Sequence, residues 1–194
     1  MNTIFLNKKT KKTKTLFALM LFSSVLSFTS CSDDDTAPAV VNEEEVITTV
    51  EVELKDGTNI FNLKSQDLDG DGPNPAEITP AGGVTLLPNT TYVGSIKFLN
   101  ELESPAEDIT LEVEAESNEH QVFYTANSIT LTTTATNLDS NGNPLGTEFT
   151  LTTGGSGFGN LTFTLIHEPN KPNTGLSDAG GETDVEVSFP ITVN

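Results

Sequence analysis

The chain has no arginine, no tryptophan, one cysteine (Cys31), two histidines (His120 and His167) and two tyrosines (Tyr92 and Tyr124) among 194 residues. Each scarcity removes a class of function. Nine lysines stand against 28 acidic residues, so there is no basic patch to neutralise phosphates, and nucleic-acid binding is excluded. A single cysteine cannot form an intrachain disulfide. Two tyrosines and no tryptophan give no flat aromatic platform for stacking sugars. Enzyme motifs are also missing. GGSGFG at 154–159 lacks the spacing and the strand-to-helix setting of a nucleophile elbow. It also lacks the lysine and following helix of a phosphate loop. Carboxylates are too many for any one pair to stand out as general acid and base.

What charge there is lies unevenly. Lys8, Lys9, Lys11, Lys12 and Lys14 precede Cys31 and no acidic residue does, which leaves four lysines against 28 acids beyond it, about −24. Residues 16–28, LFALMLFSSVLSF, form an apolar run of 13, too short to cross ~30 Å of hydrocarbon as a helix. A basic stretch, a short apolar run and small residues before a cysteine make residues 1–30 an export signal. FTSC at 28–31 resembles a bacterial lipobox, with Phe28 where an aliphatic residue is usual. That resemblance makes Cys31 a lipidated mature N-terminus, since more than one acyl chain, at ~0.8 kcal/mol per buried CH₂, gives stable anchoring. The mature domain then has no thiol for catalysis.

Ser32-Asp33-Asp34-Asp35 resembles the acidic label that sends lipoproteins of Bacteroidota to the outer face of the outer membrane; it also reads as a solvated linker. Asp35-Thr36-Ala37 resembles the O-glycosylation sequon of the same bacteria, with Thr36 as acceptor. Residues 31–45 read as the lipidated cysteine and an acidic tether, and residues 46–194 as the folded domain.

Within that domain, β-branched or alternating segments recur at 46–54, 59–64, 84–87, 92–100, 122–126, 128–136, 146–153, 161–167 and 183–193. Turn signals such as Asp56-Gly57 and Asn141-Gly142 separate them. Pro190 marks its strand as an edge or the site of a bulge. In 104–107, SPAE is a capping box with proline at the first helical position, and it predicts a short helix over 105–116. Ile109, Leu111, Val113 and Ala115 also alternate as a strand would. Eight or nine strands and one short helix predict an all-β, antiparallel Ig-like sandwich. Phe98, Phe123, Phe149, Phe163 and Phe189 are expected in its core.

EEEVITTV (43–50), QDLDGDGPN (66–74), LNELESPAEDIT (99–110), NEHQVFY (118–124), HEPNK (167–171) and GGETDVEVSF (180–189) together resemble a family of small flavobacterial lipoproteins. Some members are described as having a type 1 periplasmic binding fold, which implies two α/β lobes; no βαβ alternation occurs here. The resemblance implies a place in the cell envelope and no particular activity.

Three groups carry candidate chemistry. In DLDGDG, Asp67, Asp69 and Asp71 alternate with glycines that allow a tight loop, an arrangement of hard oxygens suited to Ca²⁺. The twelfth position of an EF-hand loop falls on Ile78, so the site would need other oxygens; a plain acidic turn is the other reading. DSNGN at 139–143 has similar spacing and reads better as a hairpin turn. His120 and His167 each adjoin a glutamate at the end of a predicted strand. If the strands are neighbours, the two imidazoles and a carboxylate could bind Zn²⁺ or Cu²⁺; the other reading is two surface or hydrogen-bonding histidines. The expectation is a non-enzymatic, lipid-anchored sandwich that binds a protein or glycan, braced by Ca²⁺. The alternatives are a metal-dependent enzyme using His120 and His167, and a structural spacer.

Overall fold

The computed structural model describes residues 45–194 apart from Asp71. The export signal, Cys31, Thr36 and the acidic label lie outside the described residues. Eleven strands and two short helices follow in the order β1 (Thr49–Lys55), β2 (Ile60–Gln66), β3 (Glu77–Thr79), β4 (Val84–Leu86), β5 (Thr91–Asn100), β6 (Glu107–Asp108), α1 (Thr110–Ala115), β7 (His120–Asn127), β8 (Leu131–Ala135), β9 (Glu148–Thr153), β10 (Gly157–His167), α2 (Leu176–Ala179) and β11 (Glu182–Val193). They form two sheets. One runs β3-β2-β1-β5-β9-β8, with β6 also on β5, and the other runs β4-β11-β10-β7. All pairings are antiparallel except β11 with β4. The chain is an all-β sandwich. Among the described residues no helix is long and apolar enough to cross a membrane.

Alternation builds the core. In β5 Tyr92, Gly94, Ile96 and Phe98 are buried while the residues between them are exposed, the period of two that a half-buried strand requires. These residues meet Leu161, Phe163 and Leu165 of β10 and Phe189, Ile191 and Val193 of β11 in a single cluster. Phe163 packs against Tyr124, Phe149 and Phe189 with ring centroids 5.6–6.0 Å apart. Gly94 lies opposite Phe149 in the β5–β9 pairing, and a Cβ there would overlap the phenyl ring. Phe123 points the other way, into a smaller cluster with Ile166 and Ala179 of α2.

The segment 105–116 differs from expectation. Glu107 and Asp108 pair with Asn100 and Leu99. The Thr110 hydroxyl then accepts from the Phe98 amide at 2.9 Å and donates to the Phe98 carbonyl at 3.3 Å. The edge of β5 thus takes up the residues that the capping box would have made helical. The helix begins only at Thr110, with Ile109 at its N-cap and no side-chain cap. The number of strands also exceeds expectation, because β3 and β6 are too short to show a period.

Candidate metal centre

The antiparallel register of β7 and β10 places Ala126 opposite Leu161, Tyr124 opposite Phe163, Val122 opposite Leu165 and His120 opposite His167. Counting by twos along either strand, the inward row is apolar until its last member, which is histidine. The two imidazoles therefore meet at one end of the sandwich, stacked with centroids 4.7 Å apart and planes at 15°. Both are buried, at 0 % and 6 % exposure.

The third member comes from β11. There Leu165 faces Val185 and Ile166 faces Thr183, so the register slips and Asp184 is the extra residue. Simple alternation would put Asp184 with Glu186 and Ser188 on the outer face. A bulge re-aims a side chain in this way, and the Asp184 side chain is fully enclosed. Its carboxylate lies 3.8 Å from His120 Nε2 and 3.9 Å from His167 Nδ1. One ligand atom from each of the three residues lies within 4.8 Å of the other two. Donors around a tetrahedral ion with ~2.1 Å bonds stand ~3.4 Å apart. Each His–Asp spacing, made to a different carboxylate oxygen (Oδ2 for His120, Oδ1 for His167), exceeds that by about half an ångström.

Local contacts prepare His120 as a ligand. Its Nδ1 sits 3.3 Å from the Glu116 carbonyl, which can only accept, so the bond assigns the proton to Nδ1 and leaves a lone pair on Nε2. Nε2 is buried and has no hydrogen-bond partner among the described residues. Burial pushes the imidazolium pKa down, helped by His167 and Lys171 and opposed by the Glu116 carbonyl and Glu119. The neutral ring is the metal-binding form, and a backbone carbonyl on the far nitrogen commonly orients a ligating histidine. Lys171 fixes the strand start from below. Its Nζ donates to the carbonyls of Ser117 (2.7 Å) and His120 (2.6 Å) and to Asp139 Oδ2 (3.2 Å).

Further carboxylates ring the centre. Oxygens of Glu45 and Glu116 and a ring nitrogen of His120 lie within 4.8 Å of one another. Glu45 is half-buried just before β1. Its pKa is raised by burial first and then by Glu112, Glu116 and Asp184, with His167 acting the other way. Glu45 and Asp184 also line a groove of about 1010 Å³ between the sheets, with Val50, Ile78 and Val187 on its walls.

The aspartate loop lines the same groove but is organised differently. Asp67 Oδ1 accepts from the amides of Gly70 (2.9 Å) and Asp69 (3.3 Å). Asp69 Oδ2 accepts from Asn74 Nδ2 at 2.7 Å. These carboxylates hold their own turn, and Asp71 lies outside the described residues. At the other acidic turn, Asp139 Oδ1 accepts from the amides of Asn141 and Asn143 at 2.9 and 2.8 Å, and the segment is the hairpin turn that its sequence indicates.

The condition set on the two histidines, that their strands be neighbours, is met, and both rings are buried rather than on the surface. Asp184 and Glu45 were missed. The signal for the histidines is their parity with the apolar rows; nothing in TDVEVSF announces a bulge. No protein family, curated protein or solved structure matches the chain.

Proposed function

We propose that the protein is a lipid-anchored, non-enzymatic metal-binding sandwich of the outer membrane, facing the cell exterior, and that His120, His167 and Asp184 hold a zinc ion. The observation that carries the reading is the convergence of two imidazoles and a carboxylate, from three neighbouring strands, in a pocket where their side chains are 0 %, 7 % and 0 % exposed. Two nitrogens and one oxygen suit Zn²⁺, with Cu²⁺ the competitor of the same donor set. A catalytic zinc keeps a position open to water and substrate, whereas structural sites are closed. Enclosure of all three donors favours the holding role. The lipobox and acidic label support the address. The acidic surface beyond Cys31 attracts cations and disfavours anionic headgroups, so the membrane is reached through the lipid, with a protein or glycan as the partner at the surface.

Metal addition tests this. An ion bound only by the folded state at a hundred times its Kd stabilises by ~2.7 kcal/mol, or roughly 5–11 °C in Tm for a domain of this size. The mature chain, stripped with EDTA, is expected to take one zinc by calorimetry and gain that shift. His120→Ala and Asp184→Asn are expected to remove both. Absence of stoichiometric zinc in the wild type would reject the centre. Metal-dependent turnover of an ester or peptide would favour the hydrolase reading instead.

A further inference from the structure

We infer that Glu45 supplies the fourth ligand to this ion, so that the metal ties the segment leading into β1 to the facing sheet and clasps the two layers together at one end. The inference rests on the zinc reading above. His120, His167 and Asp184 lie on β7, β10 and β11, all in one sheet. Three protein donors do not close a structural site, which is almost always four-coordinate. The fourth must come from what already stands at the centre.

Two carboxylates qualify by distance, Glu45 and Glu116, each within 4.8 Å of a ring nitrogen of His120. Glu116 is solvent-exposed at the C-cap of α1, and its backbone carbonyl is already committed to His120 Nδ1. Glu45 is half-buried, and no lysine pairs with it among the described residues. It also lines the groove wall beside Asp184. His120 Nε2, buried and without a hydrogen-bond partner, marks where the ion sits. Glu45 precedes β1 of the facing sheet by four residues, and its carboxylate comes within 4.8 Å of a ring nitrogen of His120. The ion therefore joins residues near the two ends of the described chain, Glu45 and Asp184, across the mouth of the sandwich.

The experiment uses the full mature chain and Zn²⁺ itself, with affinity read by chelator competition and amide hydrogen exchange read by mass spectrometry. Wild type, Glu45→Gln, Glu116→Gln and His120→Ala are compared, each checked for folding by circular dichroism. Losing an outer-shell partner of a metal ligand already costs ~10–100-fold in affinity, so Glu45→Gln is expected to weaken zinc at least tenfold while still binding one equivalent. Glu116→Gln is expected to bind as the wild type does. Zinc is expected to slow exchange at residues 46–48 in the wild type and in Glu116→Gln, but not in Glu45→Gln. Equal affinity and equal protection in wild type and Glu45→Gln would overturn the inference and leave the three-residue centre standing. A loss confined to Glu116→Gln would overturn it in favour of that residue. Failure of the wild type to bind zinc would overturn both, and His120→Ala, binding no worse than it, would show that pattern.

Discussion

Lys171 is the side chain on which the geometry around His120 leans most. Its ammonium is nearly enclosed and is satisfied by two carbonyls and the Asp139 carboxylate. The pair is asymmetric. At Asp139 burial would raise the pKa, but hydrogen bonds from Asn143, Lys171 and Asn141 outweigh it, and the net shift is downward. At Lys171 burial dominates over the attraction of Asp139, and the pKa also falls. Removing one partner leaves a buried charge without its counterion, which costs ~3–5 kcal/mol. Lys171→Met is therefore expected to lower unfolding free energy by about 3 kcal/mol, measured by urea denaturation at pH 7. The acid limb has a defined sign. A carboxylate with a depressed folded pKa contributes stability above its unfolded value, ~3.9, and loses it as pH falls through the folded value. The advantage of wild type over Asp139→Asn is expected to be flat from pH 7 to 5 and to disappear as pH drops below ~4. An advantage that persists undiminished at pH 2 would rule out this role for the carboxylate.

Among the elements, the strands with a clean period of two were legible, and those whose register is broken were not. β5 exposes every second side chain, β10 alternates apolar and polar residues over Leu161–Leu165, and the parity of His120 with Val122 and of His167 with Leu165 can be counted from the sequence. Asp184 cannot. A one-residue slip exchanges the two faces of a strand, and the slip opposite Leu165 and Ile166 depends on pairing that no local pattern records. The helix expected over 105–116 forms only at Thr110–Ala115, and its first part is lost for a related reason. Its capping box is a local preference, and the free edge of β5 offered Glu107 and Asp108 backbone partners that outbid it. Gly94 shows the same dependence on a partner strand, since only the register with β9 reveals the Phe149 ring over it. Adding a methyl group there overpacks the core, which costs ~1–3 kcal/mol. Gly94→Ala is expected to destabilise by that amount in chemical denaturation. Combining it with Phe149→Leu is expected to cost less than the sum of the two single changes, because both alter one shared space. Strict additivity would show that the ring does not occupy it.

At the scale of the whole molecule, the composition and the centre answer the same problem. On the proposed reading the chain is exported to a compartment where disulfides commonly add stability, and it has no thiol beyond Cys31. Its sandwich is built from pairings distant in sequence, such as β1 with β5 and β10 with β11. A metal joining Glu45 to His120, His167 and Asp184 would tie together residues near both ends of the described chain, and would stabilise the fold by binding the folded state alone. On the proposed reading, a lipid at Cys31 and the acidic label that follows it would hold the domain outside the outer membrane. Protease added to intact cells is then expected to remove the protein while a periplasmic marker survives. Cys31→Ala is expected to shift the protein out of the membrane fraction. A wild-type chain that resists protease until the outer membrane is broken, yet is cut freely afterwards, would place the domain on the periplasmic side and sink the surface assignment.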